Sequence, residues 1–464
     1  MTEGHGTPKG LPSILFIAVA MLAGCTVGPN YQRPVVKTPD QYYHAPATQP
    51  SDTASLGDQK WWDLFKDPQL QSLIRVGLKN NYDVQIAASR ILQAQEQVGI
   101  TRADQFPNIG AGPSFTSERL PGFTFQYFQI GALLSWTPDF WGRYRRATQA
   151  ARANELAAEW NQREVVSTLV ANIATAYFGL RELDLEIGIA NQNLASRRES
   201  LKLTQTLLNG GATGLLDVRQ AEQLVETAAA AIPDTERQIG VQEDLISTLI
   251  GDNPHGIERG IPITEQPEPP EVPPGLPSRL LERRPDIQAA EQQLAAATAD
   301  IGVARAQLFP SVDLTGNGGM ASTSLVNLFT GPGSAWNFSA PLTQPIFNAG
   351  QLRSNLRLSE AQQQQALLSY RQTIQTAFRQ VSDALISYGK YREFDRHQEL
   401  LTAAAADAAR LSDLRYRGGA TSYLEVLTSQ TNYFSAQLDL ARGQLNERLS
   451  LVQLYNALGG GWEQ

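Results

Sequence analysis

The sequence predicts a mainly α-helical chain with a membrane β component. Four strands per protomer would enter a trimeric β-barrel of twelve strands, continuous with a long periplasmic α-helical coiled-coil barrel. Three features lead there: an internal tandem duplication, short blocks of alternating apolar residues, and two runs of roughly 65 residues without proline.

The 464 residues carry a formal charge of −8, with 42% hydrophobic and 18% charged residues. Basic and acidic residues are mixed with no long basic run, which argues against a nucleic-acid partner. No stretch of about 20 apolar residues follows the amino terminus, so a multi-span helical membrane protein is excluded. Insertion as β-structure stays open, because its signal is far weaker per segment.

At the amino terminus a short apolar run, Leu11 to Ala23, follows Lys9 and leads into Leu22-Ala23-Gly24-Cys25. The run is too short to span a bilayer and exits through small residues, as a secretory signal does. Cys25 is the chain's one cysteine, so no internal disulfide can form, and it stands where lipoproteins are cut and acylated. Residues 1–24 therefore read as a lipoprotein signal peptide and 25–60 as an extended, lipid-anchored segment. Thr26, rather than Asp, follows the Cys, which is the sorting pattern for the outer membrane of a Gram-negative bacterium. Acyl chains add about 0.8 kcal/mol of attachment per buried CH₂.

The duplication is visible without gaps. Asp83 to Pro107 and Asp286 to Pro310 are identical at nine of 25 positions, including the closing Phe106-Pro107 and Phe309-Pro310. Pro138-Asp139-Phe140-Trp141-Gly142 answers Pro345 to Gly350, and Gly210-Gly211-Ala212-Thr213 answers Gly418-Gly419-Ala420-Thr421. Fixed-offset self-similarity of this kind marks a repeat. The first repeat is placed at 61–250 and the second at 278–464. Between them 251–277 is rich in Pro and Gly, unsuited to a helix or a central strand.

Each repeat runs through the same elements. A helix comes first, about 80–105 and 286–308, ended by the proline after Phe106 and Phe309. Pro285 suits the first turn of the second copy. Alternating segments follow, two strands at about 108–137 and two at about 311–347: Phe128, Ile130, Ala132, Leu134 and Trp136 on one face, Trp336, Phe338, Ala340 and Leu342 on another. Aromatics near the ends of the apolar faces and small polar residues opposite fit a membrane barrel. Each proline-free run would then reach about 100 Å as a single helix. The first carries Val166, Ile173, Leu180, Ile187, Leu194, Leu201 and Leu208 at seven-residue spacing, which demands a supercoiled neighbour. Glycine pairs at 210–211 and 418–419 end these helices, and return helices at 214–250 and 420–458 complete two antiparallel hairpins.

Four strands cannot close a barrel, and an open sheet edge in lipid strands backbone polar groups without partners. Since the smallest barrels need about eight strands, oligomerisation is forced, and a homotrimer with cyclic symmetry is the natural small solution.

Several stretches resemble OprM-like and NodT-like members of the TolC-like outer-membrane factors. They are Cys25-Thr26-Val27-Gly28-Pro29-Asn30-Tyr31-Gln32-Arg33-Pro34, Trp61-Trp62-Asp63-Leu64-Phe65-Lys66-Asp67-Pro68, Arg283-Arg284-Pro285-Asp286-Ile287 and Arg415-Tyr416-Arg417-Gly418-Gly419-Ala420-Thr421-Ser422-Tyr423-Leu424-Glu425-Val426-Leu427. The resemblance implies a passive exit duct of a tripartite, RND-type efflux system, joined to an inner-membrane efflux pump by a periplasmic adaptor (membrane fusion) protein. It implies adaptor contact at the tips, Gly210, Gly211, Thr213, Gly418, Gly419 and Thr421. It also implies a periplasmic gate at Asp217, Tyr416 and Glu425, although the acids equally suit the first turn of a helix, where they complement the dipole. Thr421 stands where some members carry an Arg, so the closing contacts would differ.

No catalytic constellation is present. His5, His44, His255 and His397 are far apart, with no metal-ligand spacing, and there is no phosphate-binding glycine motif. No enzyme activity, cofactor or metal is expected. Two other readings use similar parts: a periplasmic adaptor, which flanks one hairpin with soluble β-domains, and a structural coiled-coil lipoprotein, which needs no amphipathic strands.

Overall fold

The computed structural model describes residues 26–45, 55–267, 275, 277–330 and 333–463. The expected signal peptide, 1–24, and Cys25 lie outside the described residues. Two short helices, α1 (Trp61–Leu64) and α2 (Pro68–Asn80), precede α3 (Tyr82–Ala103). The hairpin β1 (Asn108–Leu120) and β2 (Phe123–Trp136) leads into α4 (Arg143–Asn209) and its return helix α5 (Leu215–Leu249). After α6 (Pro277–Arg283) the order recurs with α7 (Pro285–Ala306), then β3 (Ser311–Val312), β4 (Leu314–Ser322), β5 (Ser334–Ser339) and β6 (Leu342–Thr343), then α8 (Gln351–Arg417) and α9 (Tyr423–Ala457). The copies agree in length: 22 residues for α3 and α7, 67 for α4 and α8, 35 for α5 and α9. Among the described residues no helix is long and apolar enough to cross a membrane.

Three details differ from the sequence expectation. The first repeat opens on two further helices, α1 and α2, and the signal overlooked in the sequence is Asp67-Pro68: the Asp67 carboxylate caps Gln69 and Leu70 while Pro68 needs no N–H. The linker holds a 3₁₀ turn, Ile263–Glu265, and the second repeat opens on a short helix of its own, α6. The second pair of strands is interrupted at Asp313 and at Ala340-Pro341, because proline supplies no ladder N–H.

The chain forms two compact units. The first comprises the described residues up to Val35 with Ser89–Glu159 and Ala289–Gln372, and the second Val36–Ala88, Trp160–Gln288 and Thr373–Gln464. The first holds the antiparallel sheet, order β1-β2-β4-β5, with β3 paired to β6. Small residues on α4 and α7 pack there, with Ala150 and Ala153 against Ala296 and Ala299.

In the second unit the seam of the first hairpin is one part of the core, beside buried residues of α2, α8 and α9 such as Ile74, Val381 and Leu454. Ile173 and Leu180 are fully buried, and Val166, Ala176 and Leu194 nearly so. Leu194 meets Val225 and Ala228 of α5, and Gln242 Nε2 donates to the Ala176 carbonyl at 2.8 Å. Asp67 ties the linker to this seam. Its carboxylate, 1% exposed, accepts from Tyr177 Oη (2.8 Å), Ile261 N (2.9 Å) and Gln266 Nε2 (2.9 Å). Buried Arg284 likewise joins Asp286 (2.6 Å), Gln380 (2.7 Å) and the Ala457 carbonyl (2.9 Å). These bonds give the Asp67-Pro68 and Arg283-Arg284-Pro285-Asp286 motifs their physical reason.

Candidate functional site

The sheet separates its side chains by chemistry. Residues directly opposite in the register share a face, as in Ile109↔Leu134, Phe115↔Phe128, Ile130↔Met320 and Gly316↔Phe338. That face collects Ile109, Phe115, Phe128, Ile130, Leu134, Trp136, Trp336 and Phe338. The opposite face carries Ser114, Thr116, Gln129, Ser135, Thr315, Asn317 and Asn337, with Leu133 as the exception. On the apolar face Ile109 is 72% and Trp336 82% exposed in the single chain. An apolar face this open calls for cover by lipid or protein.

At the strand-to-helix junctions both repeats place a glycine in the left-handed region, and the second also sets Ala349 there, at φ +49°. Gly142 and Gly350 stand at φ +79° and +84° just before α4 and α8, a conformation that suits glycine. Trp141 stacks on Phe309 at 4.8 Å and donates to the Pro310 carbonyl at 2.7 Å.

Beside this junction the amino-terminal segment is strapped down, which the sequence reading did not foresee. Val27 N donates to the Trp141 carbonyl at 3.0 Å, and Arg146, 4% exposed, reaches Asn30 Oδ1 at 2.8 Å. Arg33 pairs with the largely buried Glu291 at 2.7 Å, which also accepts from Tyr31 Oη at 3.1 Å. Burial, and then Glu291, push the Tyr31 phenol well above its ordinary value. Gly28, at φ +100°, lies so close to Gly302 that a Cβ would come within 2.5 Å of its Cα. The Gly28-Pro29-Asn30-Tyr31 motif thus encodes a backbone contact.

The two hairpin tips, both in the second unit, repeat one geometry. Gly211 and Gly419 stand at φ +72° and +70°. Ala212 N donates to the Leu207 carbonyl (2.9 Å) and Ala420 N to that of Arg415 (2.8 Å), the six-to-one bond of a Schellman cap. Thr213 donates to the Asp217 carboxylate and Thr421 to that of Glu425, each across one helical turn. Glu425 also faces Arg415 at 3.4 Å. Tyr416 packs on Tyr423 (5.4 Å between rings) in a cluster with Ala221 and Val426, partly covered by Leu201 and Leu207. This cluster joins the two hairpins. Burial raises the Tyr416 phenol, and the Asp217 charge adds to that. Tyr416 thus lies within electrostatic reach of Asp217, and each acid turns to its own tip, Asp217 through Thr213 and Glu425 through Thr421 and Arg415.

Comparison with known proteins gives a consistent picture. The family described as Outer membrane efflux protein matches residues 73–252 and 276–460. The toluene efflux pump outer membrane protein TtgC of Pseudomonas putida is 37% identical over 97% of this chain and 96% of its own. The cation efflux system protein CusC of Escherichia coli is 33% identical over 97% and 98%. Among solved structures, the open state of the Neisseria gonorrhoeae MtrE outer membrane channel is 30% identical, covers 95% of this chain and 99% of its own, and has a TM-score of 0.86. The chain belongs to the outer membrane efflux protein family, the non-enzymatic outer-membrane channels of tripartite efflux systems in Gram-negative bacteria.

Proposed function

We propose that three copies of this chain form a hollow duct, through which small molecules delivered by an inner-membrane pump and a periplasmic adaptor leave the cell passively. The sheet carries this reading. It has four strands, ends in edges at β1 and β5, and shows lipid an apolar face. Edges in a bilayer must be paired, and three copies supply twelve strands. Cys25 is the acylated anchor. The tips at Gly210, Gly211, Thr213, Gly418, Gly419 and Thr421 are the adaptor contacts, and Asp217, Tyr416 and Glu425 form the periplasmic gate. The named cargoes of relatives, toluene for TtgC and cations for CusC, differ at comparable identity. Cargo is therefore assigned to the pump and not to this chain.

The test is the mass of detergent-extracted protein from outer membranes, followed by conductance in planar bilayers. A stable trimer is expected, with a larger resting leak when Asp217→Ala and Glu425→Ala are combined. An intact, soluble monomer would refute the duct, and unchanged conductance would remove both acids from the gate.

A further inference from the structure

Towards its turn, the β1–β2 hairpin reverses its amphipathic pattern. β4 follows β2 only as far as Phe128↔Ser322, so residues from Thr116 to Tyr127 pair with each other alone. On this arm Ser117, Arg119, Thr124 and Gln126 continue the face that is apolar lower down. Leu120, Phe123, Phe125 and Tyr127, with Glu118 among them, continue the face that lower down carries Ser114, Gln129 and Asn317. Leu120, Phe123 and Phe125 are 41%, 60% and 44% exposed. A cavity of about 730 Å³ separates Phe125 and Tyr127 from the β4–β5 connection at Thr323 and Asn327. That connection exposes Leu325, Val326 and Phe329.

If the polar face lines water, the aromatic end of the same face has no solvent of its own kind. Reach decides what meets it. Twelve strands spaced about 4.8 Å and tilted about 40° enclose a radius of about 12 Å. The arm, five residues long on each strand beyond the sheet, extends about 16 Å. Two-stranded ribbons also twist and coil more than sheets do. The interior-facing side of each copy points at the common axis, so the occupant of this face is the same face of the other two copies.

We propose that Leu120, Phe123, Phe125 and Tyr127 of three copies meet as an apolar collar across the outer mouth of the pore. The collar excludes water and ions by dewetting and parts for pumped solutes, a second closure in series with the tips. This rests on the trimeric duct proposed above.

Two measurements on the full-length protein test it, after its mass has been determined. Phe123→Cys, treated with a short bismaleimide in outer membranes, should give a covalently linked dimer between copies. Phe123→Ser with Phe125→Ser, in the Asp217→Ala and Glu425→Ala background, should raise ion conductance at least tenfold over that background. Ser117→Ala with Gln126→Ala should leave it unchanged. Absence of a trimer would refute the assembly itself. An intact trimer that labels at residue 123 without crosslinking would overturn the collar, as would unchanged conductance in a background that already conducts. The crosslink does not depend on the tips and decides the matter where the acid variants leave them shut.

Discussion

Asp67 illustrates how much one side chain can organise and how little of that is local. Its cap on α2 follows a local Asp-Pro signal overlooked in the sequence, whereas its bonds to Tyr177, Ile261 and Gln266 join residues 110 to 199 positions apart, and no periodicity reports such a contact. Replacing it by Ala leaves a buried phenol, amide and backbone N–H without their acceptor. Asp67→Ala should lower stability by about 3 kcal/mol, measured as a fall in the thermal midpoint of the detergent-solubilised protein, with the 251–267 segment becoming the first site of proteolysis. Asp67→Asn, which keeps an acceptor for the cap, should lose less. An unchanged midpoint for the Ala variant would mean that the linker is held elsewhere. The two tip acids show the opposite balance. Asp217 and Glu425 are singled out by the family resemblance and by their matching places after the repeated Gly-Gly-Ala-Thr motif, and their threonine partners lie four residues away, within one helical turn.

At the scale of elements, the long helices were the most legible parts, because a seven-residue apolar series over many turns admits one reading. The return helix α5 continues through Pro233. A proline inside a helix costs about 3 kcal/mol, offset here by the packed hairpin seam. The sequence did not show which polar residues would face another helix. Glu182 on α4 is 5% exposed, one turn from Glu186, which pairs with Arg442 of α9 at 3.4 Å. Burial, and then the neighbouring Glu186, push the Glu182 carboxyl well above the ordinary glutamate value, with Arg442 pulling the other way. The folded chain thus binds this proton more tightly than the unfolded chain. Its stabilising effect is full at low pH and is lost as pH climbs above the ordinary glutamate range. Glu182→Gln should therefore gain stability on the order of 1 kcal/mol at neutral pH and flatten the pH dependence of the thermal midpoint. A steeper profile in the variant would contradict this account.

For the molecule as a whole, duplication, element order and strand amphipathicity were readable because each repeats with a fixed offset or period. The face-by-face register was not, since strand pairing between repeats is set by contacts about 180 residues apart, as in Ala132↔Gly318. That register makes opposite predictions for adjacent residues. Ile130→Lys puts a charge on the lipid face and should cost about 2–4 kcal/mol, seen as loss of protein from the outer-membrane fraction. Gln129→Lys, on the other face, should insert normally. Equal insertion of both would reverse or erase the assignment of faces. The strap from Val27 to Arg33 sets a constraint in time. Tyr31 is fastened to Glu291, 260 residues further on, and Gly28 rests against Gly302. During synthesis and export, the front of the chain can reach only Trp141 and Arg146 of these partners until the second repeat has been made. A chain halted after its first repeat would keep a leading end fastened to Trp141 and Arg146 alone, without the holds of Glu291 on Tyr31 and Arg33 or of Gly302 on Gly28. The slow, long-range closure of that loop would then fall among the last steps of folding, well after either hairpin could have zipped up alone.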